Sequence, residues 1–184
     1  VRSRGLGDVY KRQLLLAATF SEYEKALSAA GCEINFYALK EENDFALGDD
    51  YINVLEGGYD IVFLCSPNNP TGGELSEQCL LEIVTRCKRL GILPVIDMSF
   101  ADFSENTVSA NVLAEAGAAV IKAFTKIYAM PALRLGYMLC CDEDLLGKVS
   151  LAGQSWSVNS LAQAAGAAAL DDSDFIGRTV EYIS

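Results

Sequence analysis

Ile61–Asp97 reads IVFLCSPNNPTGGELSEQCLLEIVTRCKRLGILPVID, and the character of the chain changes three times within it. Ile61–Cys65 is an unbroken apolar run, too short for an independent helix and of the length of a buried parallel strand. Pro67, Pro70, Gly72 and Gly73 then turn the chain. Ser76 stands where a helix N-cap is expected, with Glu77 in the first turn and Leu80, Ile83, Val84 and Cys87 on one face. Lys88 and Arg89 fall in the last turn and Gly91 just past it, so these signals agree on a helix Ser76–Leu90. Ile92–Ile96 is a second apolar run, interrupted only by Pro94, and it ends at Asp97. Strand, helix and strand in that order form the repeating unit of a parallel sheet with helical crossovers.

The same alternation extends outward. Upstream, Leu14–Ala17 predicts a short buried strand, and Thr19 with Glu22 predicts a capping box for a helix with Phe20, Tyr23, Leu27 and Ala30 on its apolar face. Gly31 closes that helix. Glu33–Leu39 predicts a strand with Ile34, Phe36 and Ala38 on one side, Lys40–Asp50 a loop, and the residues through Leu55 a short helix broken by Gly57-Gly58. Downstream come a helix near Asn111–Ala116, strands Val120–Ala123 and Gly136–Cys140, and helices from Asp142 onward. The expected fold is α/β, a three-layer α/β/α sandwich around a mostly parallel sheet. Residues 1–13, VRSRGLGDVYKRQ, lack periodicity, and Asp8–Gln13 looks like the translated end of a sequencing transposon adaptor. They are set apart as an artefact, which leaves residues 14–184 as the domain and the chain as an expected fragment that begins mid-domain.

Composition narrows the function. The chain has 184 residues, 51% of them hydrophobic and 21% charged, which suits one globular domain with a real core. Its net charge of -11 argues against nucleic acid and anionic membrane surfaces as partners. No apolar run is long enough to span a bilayer. Six cysteines without CxxC pairing read as buried thiols of a reducing cytoplasm. The chain contains no histidine, which removes Ser-His-Asp and Cys-His catalysis and histidine-containing zinc sites, and no metal site is expected. Lysine is then the base that a protein can tune near neutrality.

Val120–Tyr137, VIKAFTKIYAMPALRLGY, holds the candidate chemistry. Lys126 follows an apolar strand and is expected to be partly desolvated, which favours a free nucleophilic amine of the kind a carbonyl cofactor requires. Arg134 offers a permanent cationic fork suited to bidentate phosphate contact. Asp97 emerges at a strand end, and Asn69 lies in a turn fixed by Pro70 and Gly72. Together with Lys126 they occupy the carboxyl ends of successive strands, where open parallel sheets bind ligands. Each residue alone also has a structural reading: Lys126 as a snorkelling side chain, Arg134 as a surface ion-pair partner, Asp97 as an Asx-turn former, and NPTG as ordinary turn chemistry.

Taken jointly, NNPTG, PVID, FTK and LRLGY resemble the class I/II aminotransferase superfamily, with its pattern of Ser/Thr-Lys, a short loop and Arg-x-Gly. The resemblance runs from Leu14 to about Ser184. It implies the large domain of a fold type I enzyme with pyridoxal 5'-phosphate as cofactor. Lys126 is implied as the lysine that joins the cofactor's aldehyde and moves protons, Asp97 as partner of the pyridine nitrogen, Asn69 as donor to the phenolic oxygen and Arg134 as phosphate ligand. Phe20, in TFSEYE, is implied to stack on the ring, although it equally suits a hydrophobic anchor at a helix start. Thr125 supplies the residue before the lysine. Phe100 stands where many members carry a tyrosine, so that hydrogen bond to the phenolic oxygen is absent. Ala123 offers no hydroxyl to the phosphate, Met98-Ser99 replaces Glu-Ala, and Ala18 replaces a common proline.

KIYAMPALRLGY and SWSVNSLA look closest to the branch that holds threonine-phosphate decarboxylases of cobalamin synthesis and histidinol-phosphate aminotransferases, and they favour the decarboxylase. Trp156 and Asn159 are implied to meet the substrate, or else are a core aromatic and a polar residue at a helix start. The implied substrate is a phosphorylated, amino-acid-like small molecule, and the implied parent is a cytoplasmic homodimer. A smaller carboxyl-terminal domain and an upstream phosphate loop are missing, so the fragment alone is expected to be nearly inactive. A doubly wound domain that binds a nucleotide without covalent chemistry is the alternative from another class. It is weakened because no GxGxxG follows an early strand.

Overall fold

The computed structural model describes residues 12–104 and 108–183. Strands β1 (Arg12–Ala17), β2 (Glu33–Ala38), β3 (Ile61–Cys65), β4 (Leu93–Asp97), β5 (Ala119–Ala123) and β6 (Gly136–Leu139) form one sheet in the order β2-β1-β3-β4-β5-β6. The first five run parallel, while β6 returns antiparallel to β5. No helix intervenes between β5 and β6, only a loop with a single 3-10 turn at Pro131–Leu133, and a non-helical return of that kind favours antiparallel pairing. The helices are α1 (Ser21–Ala29), α2 (Tyr51–Val54), α3 (Glu77–Leu90), α4 (Ala110–Ala116), α5 (Glu143–Ala152), α6 (Ser160–Asp171) and α7 (Phe175–Ile183).

Register places Leu14, Val62 and Pro94 side by side, and likewise Leu64, Ile96 and Val120. Because side chains alternate along a strand, these residues share one face. Against that face pack Leu80, Ile83, Val84 and Cys87 of α3, Leu113 and Ala114 of α4, and Tyr51 and Leu55. Burial of each such aliphatic side chain contributes about 1.5–3 kcal/mol, so this layer is the main source of stability. Phe63 points to the opposite face, where its ring lies 4.4 Å from that of Tyr23 in α1. Helices therefore cover both faces, as the alternation in sequence requires.

Local signals account for most boundaries. Ser76 caps α3 by accepting from the Cys79 amide, and Gly91 ends it at φ 72°, a left-handed conformation that glycine adopts without strain. The capping box expected at Thr19 and Glu22 does not form. The N-cap of α1 is Phe20, with no side-chain cap, because the Thr19 hydroxyl is bonded to Asn68 instead. β1 begins at Arg12, two residues before the expected Leu14, and Gln13 is fully buried within it. Residues 1–11 of the segment set apart as an adaptor lie outside the described residues. Of the cysteines only Cys65 and Cys87 are buried; Cys141 is exposed, since it falls in the turn leading to α5 rather than inside an apolar element. No helix among the described residues is long and apolar enough to cross a membrane.

Candidate active site

The strand order changes direction between β1 and β3: from β1 the chain steps outward to β2, then returns past β1 to β3. Loops leaving the carboxyl ends of β1 and β3 diverge at such a point and open a crevice between them. Asn68, nearly buried, spans it. Its side-chain amide donates to the Ala18 carbonyl at 2.9 Å and to Thr71 Oγ1 at 2.8 Å, and its Oδ1 accepts from Thr19 Oγ1 at 2.9 Å. The turn is closed by its backbone, with Gly72 N–H donating to the Asn68 carbonyl and Asn68 N–H to that of Gly73. Gly72 sits at φ 74°, which a β-carbon would strain. Asn69 is thereby presented on the rim of a cleft of about 320 Å³, together with Pro70, Glu74, Phe100 and Phe103.

Asp97 closes β4, and both of its oxygens are engaged. Oδ1 accepts the Ser99 amide at 2.8 Å, and Oδ2 accepts the Tyr23 hydroxyl at 2.7 Å. The Asx-turn reading of Asp97 therefore holds geometrically, and a bond from helix α1 accompanies it. Burial pushes the Tyr23 hydroxyl well above the usual tyrosine range, an effect reinforced by Cys65 and Asp97, so the phenol is a neutral donor. Phe20 lies edge-on to Tyr23, ring centres 5.5 Å apart, and is 40% exposed.

Lys126 occupies the turn after β5, with its ammonium 5.1 Å above the centre of the Phe100 ring. That places Phe100 and Lys126 together. The partial desolvation expected for Lys126 is absent: the side chain is exposed, because the turn carries it beyond the apolar strand that precedes it. It forms no ion pair among the described residues. Lys122, four residues earlier, is instead committed to Asp102 at 2.6 Å, the two side chains being only 16% and 23% exposed. Thr125 is partly buried between the strand and Lys126.

Arg134 sits at φ 55° and is exposed, donating one bond to the Pro131 carbonyl at 2.9 Å. Asn159 caps α6 by accepting from the Ala162 amide, and its amide nitrogen lies 3.4 Å from the Leu133 carbonyl, beside Arg134. The helix-start reading of Asn159 thus accounts for its geometry. Trp156 is 96% exposed, so it is not the core aromatic considered from the sequence; the turn at φ 56° directs it outward. Phe20, Asn69, Asp97, Phe100, Thr125, Lys126 and Arg134 all follow carboxyl ends of β1, β3, β4 or β5 and so share one end of the sheet. Trp156 joins none of the contacts just described. Tyr23, Asn68, Lys122 and Asp102 are not among the site residues that the sequence points to, since each has a partner 20 to 74 positions away and no local pattern reveals such pairs.

The architecture and the sequence both have counterparts among known proteins. Threonine-phosphate decarboxylase of Salmonella typhimurium is 39% identical over 166 residues, covering 89% of this chain and 45% of that protein. Histidinol-phosphate aminotransferase of Bacillus subtilis is 31% identical over 169 residues, covering 90% and 46%. The chain thus spans about half the length of the curated relatives it matches. Among solved structures, L-threonine-O-3-phosphate decarboxylase from Porphyromonas gingivalis superposes with a TM-score of 0.75 at 26% identity, over 90% of this chain and 49% of that one. The histidinol-phosphate aminotransferase from Clostridium acetobutylicum gives 0.85 at 22%, over 93% and 52%, a likeness of fold. The profile of the family described as aminotransferase class I and II matches residues 11–183. With that match running through every strand of the sheet, the chain belongs to the class I and II aminotransferase family.

Proposed function

We propose that this chain is the cofactor-binding part of a pyridoxal-phosphate enzyme acting on a phosphorylated amino compound, and that the parent protein is a threonine-phosphate decarboxylase. The family is one of pyridoxal-phosphate enzymes, which sets aside a non-covalent nucleotide-binding domain. The observation that carries the reading is the donor set at one end of the sheet. An exposed lysine without an ion-pair partner among the described residues, a carboxylate held at both oxygens, a turn-fixed amide and an exposed guanidinium suit an aldehyde, a ring nitrogen, a phenolic oxygen and a phosphate respectively. The residues present therefore fit the cofactor.

When bound, pyridoxal phosphate supplies an electron sink for charge released at the substrate's α-carbon. The chain's residues orient and protonate around it. Asp97, already oriented by Tyr23 and Ser99, would be the carboxylate that favours a protonated ring nitrogen. Asn69 would donate its amide N–H to the phenolic oxygen, a contact that Phe100 cannot make. Arg134 would hold the phosphate through its guanidinium. Phe20 covers a ring face, and Thr125 fixes the backbone next to Lys126. Lys126 supplies the amine and then carries protons at its Nζ, for which its exposure leaves it free to move. Asn159, and Trp156 from its exposed turn, are assigned to the substrate side.

With the cofactor bound, the residues that anchor the substrate would decide between decarboxylation and amino transfer by how they orient the α-carbon. Identity of 39% with a decarboxylase, against 30% to 34% with histidinol-phosphate aminotransferases, supports the first. A cytoplasmic homodimer and a smaller second domain complete the proposed parent, and residues 14–184 alone are expected to turn over neither substrate. The test supplies the parent protein with threonine phosphate and histidinol phosphate separately. Carbon dioxide release from the first without amino transfer from the second is the expected outcome. Keto-acid-dependent transamination of histidinol phosphate would make the parent an aminotransferase instead.

A further inference from the structure

Tyr23 touches both Asp97, assigned to the ring nitrogen, and Phe20, assigned to the ring face. Its hydroxyl donates to Asp97 Oδ2 at 2.7 Å, and its ring takes the edge of Phe20 at 5.5 Å. The back of the ring is braced by Phe63, 4.4 Å away and tilted by 32°. The second donor to Asp97, the Ser99 amide, belongs to the turn that carries Asp97 and moves with it. Among the described residues, Tyr23 refers the carboxylate to the other side of the crevice, across 74 positions of sequence, from the helix that follows β1. Its phenol is held neutral by burial, so it remains a donor.

We propose that Tyr23 is a positioning residue that seats Phe20 with its ring and fixes the plane of the Asp97 carboxylate with its hydroxyl, so that both meet the pyridine ring of the cofactor. The inference rests on the reading of Asp97 as partner of the ring nitrogen. A residue that merely stabilised the fold would affect every ligand alike. A residue that acts through Asp97 matters only when the ligand has a ring nitrogen for Asp97 to hold.

The experiment measures affinity of the parent protein for pyridoxal phosphate and for its 1-deaza analogue, in which a C–H replaces that nitrogen. Tyr23→Phe keeps the ring contacts to Phe20 and Phe63 and removes only the hydroxyl. Loss of a hydrogen bond to a charged group is expected to weaken pyridoxal phosphate binding by about 10-fold or more, and analogue binding by less than about 2-fold. Equal losses for both ligands, or no loss for pyridoxal phosphate, would overturn the proposal. A wild-type protein that already binds the two ligands equally would overturn the role of Asp97 as well, which separates failure of this inference from failure of the reading beneath it. Phe63→Leu, which loosens the ring but spares the hydroxyl, is expected to lower affinity for both ligands. Loss confined to pyridoxal phosphate there would count against the ring's part in seating Phe20.

Discussion

The adjacent residues Asn68 and Asn69 are chemically identical and are expected to fail in opposite ways. Asn68 is only 6% exposed and makes three side-chain hydrogen bonds, to Ala18, Thr19 and Thr71. At about 0.5–1.5 kcal/mol each, their loss sums to roughly 1.5–4.5 kcal/mol. The two threonine hydroxyls can turn to water, whereas the Ala18 carbonyl loses a partner inside the crevice, so Asn68→Ala is expected to cost about 2–3 kcal/mol. Asn69 lies on the cleft rim, and its side chain makes no hydrogen bond among the described residues. Asn69→Ala is accordingly expected to change stability by less than about 0.5 kcal/mol while weakening pyridoxal phosphate binding. Urea denaturation followed by far-ultraviolet circular dichroism gives the first quantity and cofactor titration the second. If Asn68→Ala were neutral to stability, or Asn69→Ala as damaging as Asn68→Ala, the division of labour derived from these contacts would be wrong.

Three further outcomes are expected. Because Lys122 and Asp102 pair with side chains only 16% and 23% exposed, Lys122→Met and Asp102→Asn are each expected to destabilise by about 1–3 kcal/mol, and a double-mutant cycle should return a favourable coupling; additive losses would refute the pair. Burial pushes the Cys87 thiol from 9.0 up to about 12, so the folded state retains a proton that the unfolded chain releases. That stability is complete below the unfolded value and is lost as pH rises towards the folded one, at up to about 1.4 kcal/mol per pH unit, so the urea midpoint should fall between pH 8 and 10.5, and less so in Cys87→Ala. Thiol titration under native conditions should modify the exposed Cys141 first and leave Cys65 and Cys87 untouched until urea unfolds the chain.

Elements bounded by residues with one strong local preference were legible in the sequence. Ser76 and Gly91 set the limits of α3, and the apolar run Ile61–Cys65 sets those of β3. Where a side chain had a distant competitor, the local reading failed: Thr19 could cap α1, yet its hydroxyl is taken by Asn68, 49 positions away. Lys126 and Asp97 were legible as strand-end groups because βα geometry alone puts them there. Their surroundings were not. Apolar flanks suggested a desolvated lysine, but the turn after β5 leads the side chain into the open, and the partner of Asp97 is a tyrosine that reads only as part of an amphipathic helix face.

The central claim is that Lys126 carries the cofactor. Lys122 lies four residues away on the same stretch and is the nearest competitor, but its amine is engaged by Asp102. Incubating the parent protein with pyridoxal phosphate, reducing with borohydride and mapping the labelled peptide distinguishes the two. A pyridoxyl group on Lys126 is the predicted result; a label on Lys122, or on neither lysine, would contradict the account.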